Sequence, residues 1–173
     1  MEKGYIQVYT GNGKGKTTAL LGLALRACGA GLGVYLGQFL KEDSTSEIQA
    51  LKAYLPQVTV EQYGPGYFIA GREPNEQEKA MGTAGLEKAR VAMLSGKYSL
   101  ILLDEINVAL SKGLVELDAV LALMEQKPAG VELVLTGRGA MPEIIEAADL
   151  VTEMREIKHY YKDGVQARVG IER

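Results

Sequence analysis

The chain has 173 residues, a formal net charge of -3 and a hydrophobic fraction of 47%. These values fit a globular domain and exclude an intrinsically disordered chain. The acidic balance gives no reason to expect nucleic acid or an anionic membrane as a partner. The single cysteine, Cys28, excludes an internal disulfide, a cysteine-ligated iron–sulfur cluster and a Cys-rich zinc site. No signal peptide or membrane-length apolar run is visible, so we expect a cytoplasmic protein.

Strand-like and helix-like segments alternate along the chain. Apolar, β-branched or aromatic runs predict strands at residues 4–10, 33–40, 58–63, 100–103, 131–136 and 150–153. Helix-forming runs with boundary signals predict helices at residues 17–30, 44–55, 76–95, 115–126 and 142–148. The spacing Ser44-x-x-Glu47 predicts a capping box for the second helix. The alternation predicts an α/β fold of the P-loop NTPase-like (RecA-like) type, with a mostly parallel sheet, helices on both faces and a single domain over residues 1–173.

The stretch TGNGKGKTT at residues 10–18 lies between the first predicted strand and the first predicted helix. The motif Gly-x-x-x-x-Gly-Lys-[Ser/Thr] would place its first glycine at residue 10, but that residue is Thr10 and the glycine comes one place later. Glycines let backbone amides converge on phosphate oxygens, and the helix that follows points its partial positive end at them. We therefore predict a nucleotide-binding loop in preference to a glycine turn without ligand. Its residues are Gly11, Asn12, Gly13, Lys14, Gly15, Lys16, Thr17 and Thr18.

Within this loop, individual side chains have separate predicted roles. Lys16 brings a positive charge to the phosphates, and the Thr17 hydroxyl is placed to reach a magnesium ion. Lys14 is either a second phosphate contact or a solvated side chain, and the sequence leaves both readings open.

Charged residues follow two of the predicted buried strands. Asp104 and Glu105 come directly after LILL at residues 100–103, where an acidic residue beside a phosphate loop holds Mg²⁺ or Mn²⁺ directly or through water. Carboxylates at such positions also cap helices or pair with surface lysines. Arg138, in TGRG at residues 136–139, either binds a phosphate bidentately or forms a structural ion pair. The single histidine, His159, has no partners for a metal cluster and reads as a structural or hydrogen-bonding residue.

Five segments occur in a fixed order: GNGKGKTT (11–18), LDEIN (103–107), TGRG (136–139), ADLVTEM (148–154) and KH…GVQARVGIE (158–172). Together they resemble the P-loop class of ATP:corrinoid adenosyltransferases, the enzymes of vitamin B12 biosynthesis and salvage. The resemblance runs from about residue 3 to residue 172, and the offset glycine is part of that family's loop.

The resemblance implies a reaction in which the Co(I) of a reduced corrinoid attacks the 5′ carbon of ATP and triphosphate leaves whole. It implies catalytic roles for Lys16 and Glu105, and corrinoid contacts from Tyr67 and Phe68 in the loop after the third strand. Without the resemblance, that aromatic pair reads as an anchor of the loop in the core. The resemblance also implies an external electron donor such as flavodoxin or reduced flavin, and a homodimer.

Two other functions fit parts of the sequence. A P-loop ATPase could couple ATP hydrolysis to a protein or nucleic-acid partner, although the chain lacks a basic stripe for nucleic acid. A corrinoid- or nucleotide-binding module without turnover would not need Lys16, Thr17, Asp104 and Glu105 together.

Overall fold

The computed structural model describes residues 2–41, 45–64 and 72–172. Its six strands are β1 (Ile6–Thr10), β2 (Val34–Phe39), β3 (Val58–Tyr63), β4 (Leu100–Asp104), β5 (Glu132–Thr136) and β6 (Leu150–Glu153). Its six helices are α1 (Lys16–Gly29), α2 (Ser46–Tyr54), α3 (Glu76–Leu94), α4 (Ile106–Ser111), α5 (Leu117–Glu125) and α6 (Pro142–Glu146). A 3₁₀ turn at Tyr160–Asp163 follows β6.

All six strands form one sheet in the order β3-β2-β4-β5-β1-β6, and every neighbouring pair is parallel. The order places β1 and β4, which precede the two strongest sequence motifs, on either side of β5. Because parallel strands end at the same edge, both motifs reach the carboxyl edge of the sheet. The predicted α/β fold class is confirmed, and the sheet is wholly parallel.

Helices cover both faces of the sheet, as the sequence predicted. Leu100 and Leu102 of β4 pack on one face in a cluster with residues of α1 and α2. Ile101 and Leu103 point to the other face, into a larger cluster with residues of α3, α4, α5 and α6. Side chains alternate along a strand, so a continuous apolar run such as LILL supplies both cores at once.

The helix starts differ from the sequence prediction at two places. Helix α2 has Thr45 as its N-cap, with no side-chain capping bond, and Ser44 of the predicted capping box lies outside the described residues. With the cap at residue 45, Glu47 is one position too early in the helix to close such a box. A true capping box starts α3 instead, where Asn75 accepts from the Glu78 amide and Glu78 accepts from the Asn75 amide.

Helix α4 was not predicted from the sequence. It begins directly after Glu105, which adopts the left-handed conformation with φ 61°, and it is only six residues long. So short a helix shows no periodic signal, because it spans less than two turns. No helix in the described part of the chain is long and apolar enough to cross a membrane.

Two glycines in helices provide a matched test of the core packing. A Cβ added at Gly82 of α3 would lie 2.3 Å from the Leu114 carbonyl oxygen, whereas one added at Gly22 of α1 would meet nothing within 4 Å. We expect Gly82→Ala to lower the free energy of unfolding by about 1–3 kcal/mol, since backbone must move to relieve the contact. Gly22→Ala should raise it by up to roughly 1 kcal/mol through helix propensity. Urea denaturation measures both, and equal effects would contradict the packing at Gly82.

Candidate active site

The glycine-rich loop between β1 and α1 packs against the chain that leaves β6. Gly13 donates its amide to the Met154 carbonyl at 2.7 Å. A Cβ added at Gly11, whose φ is 92°, would lie 2.4 Å from that same oxygen, and one added at Gly13 would lie 2.8 Å from it. Both positions therefore require glycine.

The same packing accounts for the offset of the first glycine. Thr10 is the last residue of β1, and its carbonyl accepts the Met154 amide at 2.9 Å. Its hydroxyl accepts the Ala140 amide at 3.2 Å. Thr10 is therefore hydrogen-bonded both within the sheet and to the turn after β5. The first position that needs a positive φ is Gly11.

Lys16 is buried at the centre of the loop. Its Nζ donates to the carbonyls of Gly11 at 2.7 Å and Gly13 at 2.8 Å. Burial lowers the pKa of Lys16, and the carboxylates of Glu105 and Asp104 oppose that shift. Gly15 is the N-cap of α1 and has no side chain to accept the first-turn amides, which leaves those amides for an anion.

Asp104 is a fully buried carboxylate with four side-chain donors. The hydroxyls of Thr17 and Thr136 donate to its Oδ1 at 2.9 and 2.8 Å. Gln38 and Lys41 donate to its Oδ2 at 3.1 and 2.9 Å. The buried Asp104 carboxylate thus orients the hydroxyl of Thr17, the predicted metal ligand.

Glu105 lies on the wall of the cavity above the loop, unlike its neighbour Asp104. Its backbone amide donates to the Thr136 hydroxyl at 3.0 Å, which holds the left-handed turn at the end of β4. Burial raises the pKa of Glu105, the nearby Asp104 charge raises it further, and three nearby cations oppose the shift. Of the two predicted metal-binding carboxylates, Glu105 is the one that lines the cavity.

Thr17, Asp104 and Glu105 have only oxygen donors, which is the ligand chemistry that Mg²⁺ and Mn²⁺ prefer. Thr17 Oγ1 and Asp104 Oδ1 lie within 2.9 Å of each other. No group of three His, Cys, Asp or Glu residues suited to a metal ion occurs in the described ranges. These residues therefore fit a cation whose remaining ligands are phosphate and water oxygens, the usual arrangement for magnesium in nucleotide sites.

The loop opens onto a cavity of about 670 Å³, a volume within the range of small-molecule sites. The cavity brings together segments that are distant in sequence. Its walls include residues 13–18 of the loop, Glu105, Arg138, the start of α2, His159 and residues 170–172.

Arg138 also borders a second cavity of about 610 Å³, which Asn12 lines as well. The Arg138 guanidinium makes neither a hydrogen bond nor an ion pair with any other described residue, so the alternative of a structural ion pair has no support there.

The chain after β6 contacts the loop at Lys14. Lys14 Nζ donates to the Ile171 carbonyl at 3.2 Å and lies 4.0 Å from the Glu172 carboxylate. Arg168 and Tyr160 both bond that carboxylate, and together they lower the pKa of Glu172 to about 2. Neither reading of Lys14 from sequence included this contact.

Several site residues escaped the sequence analysis. Gln38 and Lys41 carry no motif, and their role at Asp104 depends on β2 lying beside β4. Thr136, in the TGRG segment, had no predicted role, although its hydroxyl bonds both acidic positions. The predicted corrinoid contacts Tyr67 and Phe68 lie outside the described residues.

The Thr136 hydroxyl provides a test of this arrangement. Thr136→Val should lower the free energy of unfolding by about 1–3 kcal/mol, because it leaves the Glu105 amide and one Asp104 oxygen with a partner fewer. Thr136→Ser keeps the hydroxyl and should cost at most about 1 kcal/mol for the lost methyl group. Denaturant unfolding compares the two variants, and a valine variant as stable as the serine variant would refute the role of the hydroxyl.

Comparison with known proteins shows the family of the chain. The family model of the ATP:corrinoid adenosyltransferase BtuR/CobO/CobP matches residues 2–173. The corrinoid adenosyltransferase of Pseudomonas aeruginosa is 39% identical over 172 residues, which cover 99% of this chain and 84% of that protein. Corrinoid adenosyltransferases of a Sinorhizobium species and of Escherichia coli are 38% and 33% identical, over 99% of this chain and 81% and 86% of their own lengths. The chain belongs to the ATP:corrinoid adenosyltransferase family.

Proposed function

We propose that this protein transfers the 5′-deoxyadenosyl group of ATP to the Co(I) of a reduced corrinoid and releases triphosphate. The observation that carries the proposal is the cavity above the glycine-rich loop, which Lys16, Glu105 and Arg138 line, in a chain of this family. In the reaction, the cobalt electron pair forms the cobalt–carbon bond. The C5′–O bond breaks, and its electron pair leaves with the triphosphate.

Lys16 and the loop amides would stabilise the negative charge that grows on the departing triphosphate. The bonds of Lys16 to Gly11 and Gly13 hold its ammonium within the loop before any substrate arrives. Preorganised charges of this kind lower the barrier because they need no reorientation during the reaction. Co(I) is itself a strong nucleophile, so the proposal needs no side-chain base.

Thr17 and Glu105 would hold the divalent cation, Mg²⁺ or Mn²⁺, with Asp104 orienting the Thr17 hydroxyl from the buried side. A bound cation there supplies additional neutralisation of charge on the polyphosphate. Glu105 would therefore act catalytically through the cation, and Arg138 would contact the phosphates directly.

Tyr67 and Phe68 would cover the corrinoid and exclude its lower axial ligand. The single thiol, Cys28, is buried, so electrons for Co(II) would come from an external donor such as flavodoxin or reduced flavin. Residues 1–173 would act as one P-loop domain in the cytoplasm, where ATP and these donors occur.

A homodimer is also part of the proposal. Strand β6 lies at the edge of the sheet, and its apolar residues Leu150 and Val151 are exposed. This supports a homodimer, because such edges are commonly covered by another chain. Sedimentation velocity tests this, and a monomer at micromolar concentration would contradict it.

The alternative of an ATPase that drives a protein or nucleic-acid partner receives no support from the family or its relatives. An anaerobic mixture of protein, MgATP and chemically reduced cob(I)alamin separates the two functions. We expect a light-sensitive adenosylated corrinoid together with triphosphate, measured by absorbance and by chromatography of the phosphates. ADP and phosphate with an unchanged corrinoid would overturn the proposed function.

In the same assay, Lys16→Ala should lower kcat/KM by about 100- to 1000-fold, the usual cost of one lost donor to a developing negative charge. Lys52→Ala is the matched control, because Lys52 is an exposed lysine in the last turn of α2. Equal activity of the two variants would refute the role of Lys16.

Phe68→Ala tests the proposed exclusion of the lower ligand. We expect a larger loss of rate when the reaction starts from Co(II) with an external reductant than when it starts from Co(I). The reason is that removing an axial ligand assists the reduction step and not the attack on carbon. Tyr54→Ala, at an exposed aromatic of α2, is the control. Equal losses in the two assays would contradict this role of Phe68.

A further inference from the structure

Strand β2 ends in a turn with an unfavourable backbone conformation. Leu40, the first residue after β2, has φ 62°, a left-handed conformation that costs free energy for a residue other than glycine. Its amide donates to the carbonyl of Tyr63, the last residue of β3, at 2.8 Å. The neighbouring strand therefore holds this turn, and the residue that follows it, Lys41, contacts Asp104 at the end of β4.

Lys41 forms an ion pair with the buried carboxylate of Asp104. Its Nζ donates to Asp104 Oδ2 at 2.9 Å, and its side chain is 28% exposed, whereas that of Asp104 has no exposed surface. Lys41 also lines the cavity above the glycine-rich loop, together with Thr17 and Glu105. Its ammonium therefore places a positive charge beside the two residues that are proposed to hold the divalent cation.

The hydrogen bonds of Asp104 occupy both of its carboxylate oxygens. An ionised carboxylate accepts about four hydrogen bonds, two at each oxygen. The hydroxyls of Thr17 and Thr136 donate to Oδ1, and the side chains of Gln38 and Lys41 donate to Oδ2. A cation that bound Asp104 directly would have to displace one of these donors.

Of these four donors, only Lys41 carries a charge. Gln38 and Thr136 are fully buried and neutral, so they occupy Asp104 oxygens without repelling a cation. The Lys41 ammonium occupies Oδ2 and also opposes the approach of a second positive charge. Lys41 is thus the donor that makes Asp104 a poor ligand for a metal ion.

We propose that Lys41 is a positioning residue that keeps Asp104 from binding the divalent cation directly, so that the cation enters the site together with the nucleotide. With Asp104 paired, Thr17 and Glu105 supply two ligands, too few for Mg²⁺ without the oxygens of a phosphate group. Asp104 is then free to orient the Thr17 hydroxyl. The inference rests on the proposed function, which places the cation at Thr17 and Glu105.

Binding of Mn²⁺ alone, without nucleotide, tests this role. Electron paramagnetic resonance measures it, because free and bound Mn²⁺ give different signals. Lys41→Met removes the charge and the donor, whereas Lys41→Arg keeps both. Lys52→Met is the matched control, since Lys52 is an exposed lysine in the last turn of α2. Urea denaturation establishes that each variant is folded, and the neutral variant Lys41→Gln takes the place of Lys41→Met if methionine prevents folding.

We expect Lys41→Met to bind Mn²⁺ at least about tenfold more tightly than the wild type. The reason is that a nearby positive charge is gone and an Asp104 oxygen becomes available to the cation. Lys41→Arg and Lys52→Met should stay within about threefold of the wild-type affinity. Adding Asp104→Asn to Lys41→Met should abolish the gain, because the released oxygen then belongs to a neutral amide.

An unchanged or weaker affinity in Lys41→Met, or no measurable binding of Mn²⁺ to it, would overturn the inference. A gain that survives the addition of Asp104→Asn would also overturn it, since the cation would then bind elsewhere. If neither neutral variant folded, Lys41 would be a structural residue, and its assignment to the cation site would fail.

The outcomes also separate this inference from the proposed function. If the wild-type protein forms the adenosylated corrinoid from cob(I)alamin while Lys41→Met shows no gain in Mn²⁺ affinity, only the inference fails. If Lys41→Met gains affinity through Asp104 but the wild-type protein yields ADP and phosphate, the role of Lys41 holds and the proposed reaction fails.

Discussion

The buried carboxylate of Asp104 is the interaction on which the site depends. A carboxylate with no exposed surface is stable only when its oxygens are well bonded, and here four side chains from separate parts of the chain donate to it. Those donors come from α1, from β2 and the residues after it, and from β5. The bonds therefore join the carboxyl ends of three strands to the first turn of α1, and they orient Thr17.

A second constraint is the close approach of backbone to backbone beneath the loop. Met154, at the end of β6, contacts Gly11 and Gly13 so closely that neither can carry a side chain. The loop therefore has a rigid support formed by the edge strand, and Lys16 is held by the loop's own carbonyls. Rigidity of this kind suits a site whose task is to stabilise charge on a leaving group, because the donors are in place before that charge appears.

The chain after β6 completes the cavity on the side of Lys14. Up to residue 172 this segment contains no strand, yet the bonds among Tyr160, Arg168 and Glu172 give it a defined shape, and Lys14 bonds it to the loop. The cavity thus has a wall of backbone amides and cations from the N-terminal third of the chain and a wall from the last fifteen residues or so. The two pKa shifts at its centre have the same physical origin, since burial lowers the pKa of Lys16 and raises that of Glu105.

By itself, the sequence determined the α/β class, five of the six described helices, the six described strands and the glycine-rich loop between β1 and α1, because these follow from local hydrophobic patterns and from glycine at fixed spacing. It did not predict α4, whose six residues are too few for a period, or the capping box of α3. The tertiary structure decided that Glu105 lines the cavity while Asp104 is buried, because β2 lies next to β4 and supplies Gln38 and Lys41 to Asp104. It also decided that Glu172 approaches Lys14 of the loop and that His159 lines the same cavity. Contacts between residues so far apart arise from strand order and chain path, which no local pattern in the sequence records.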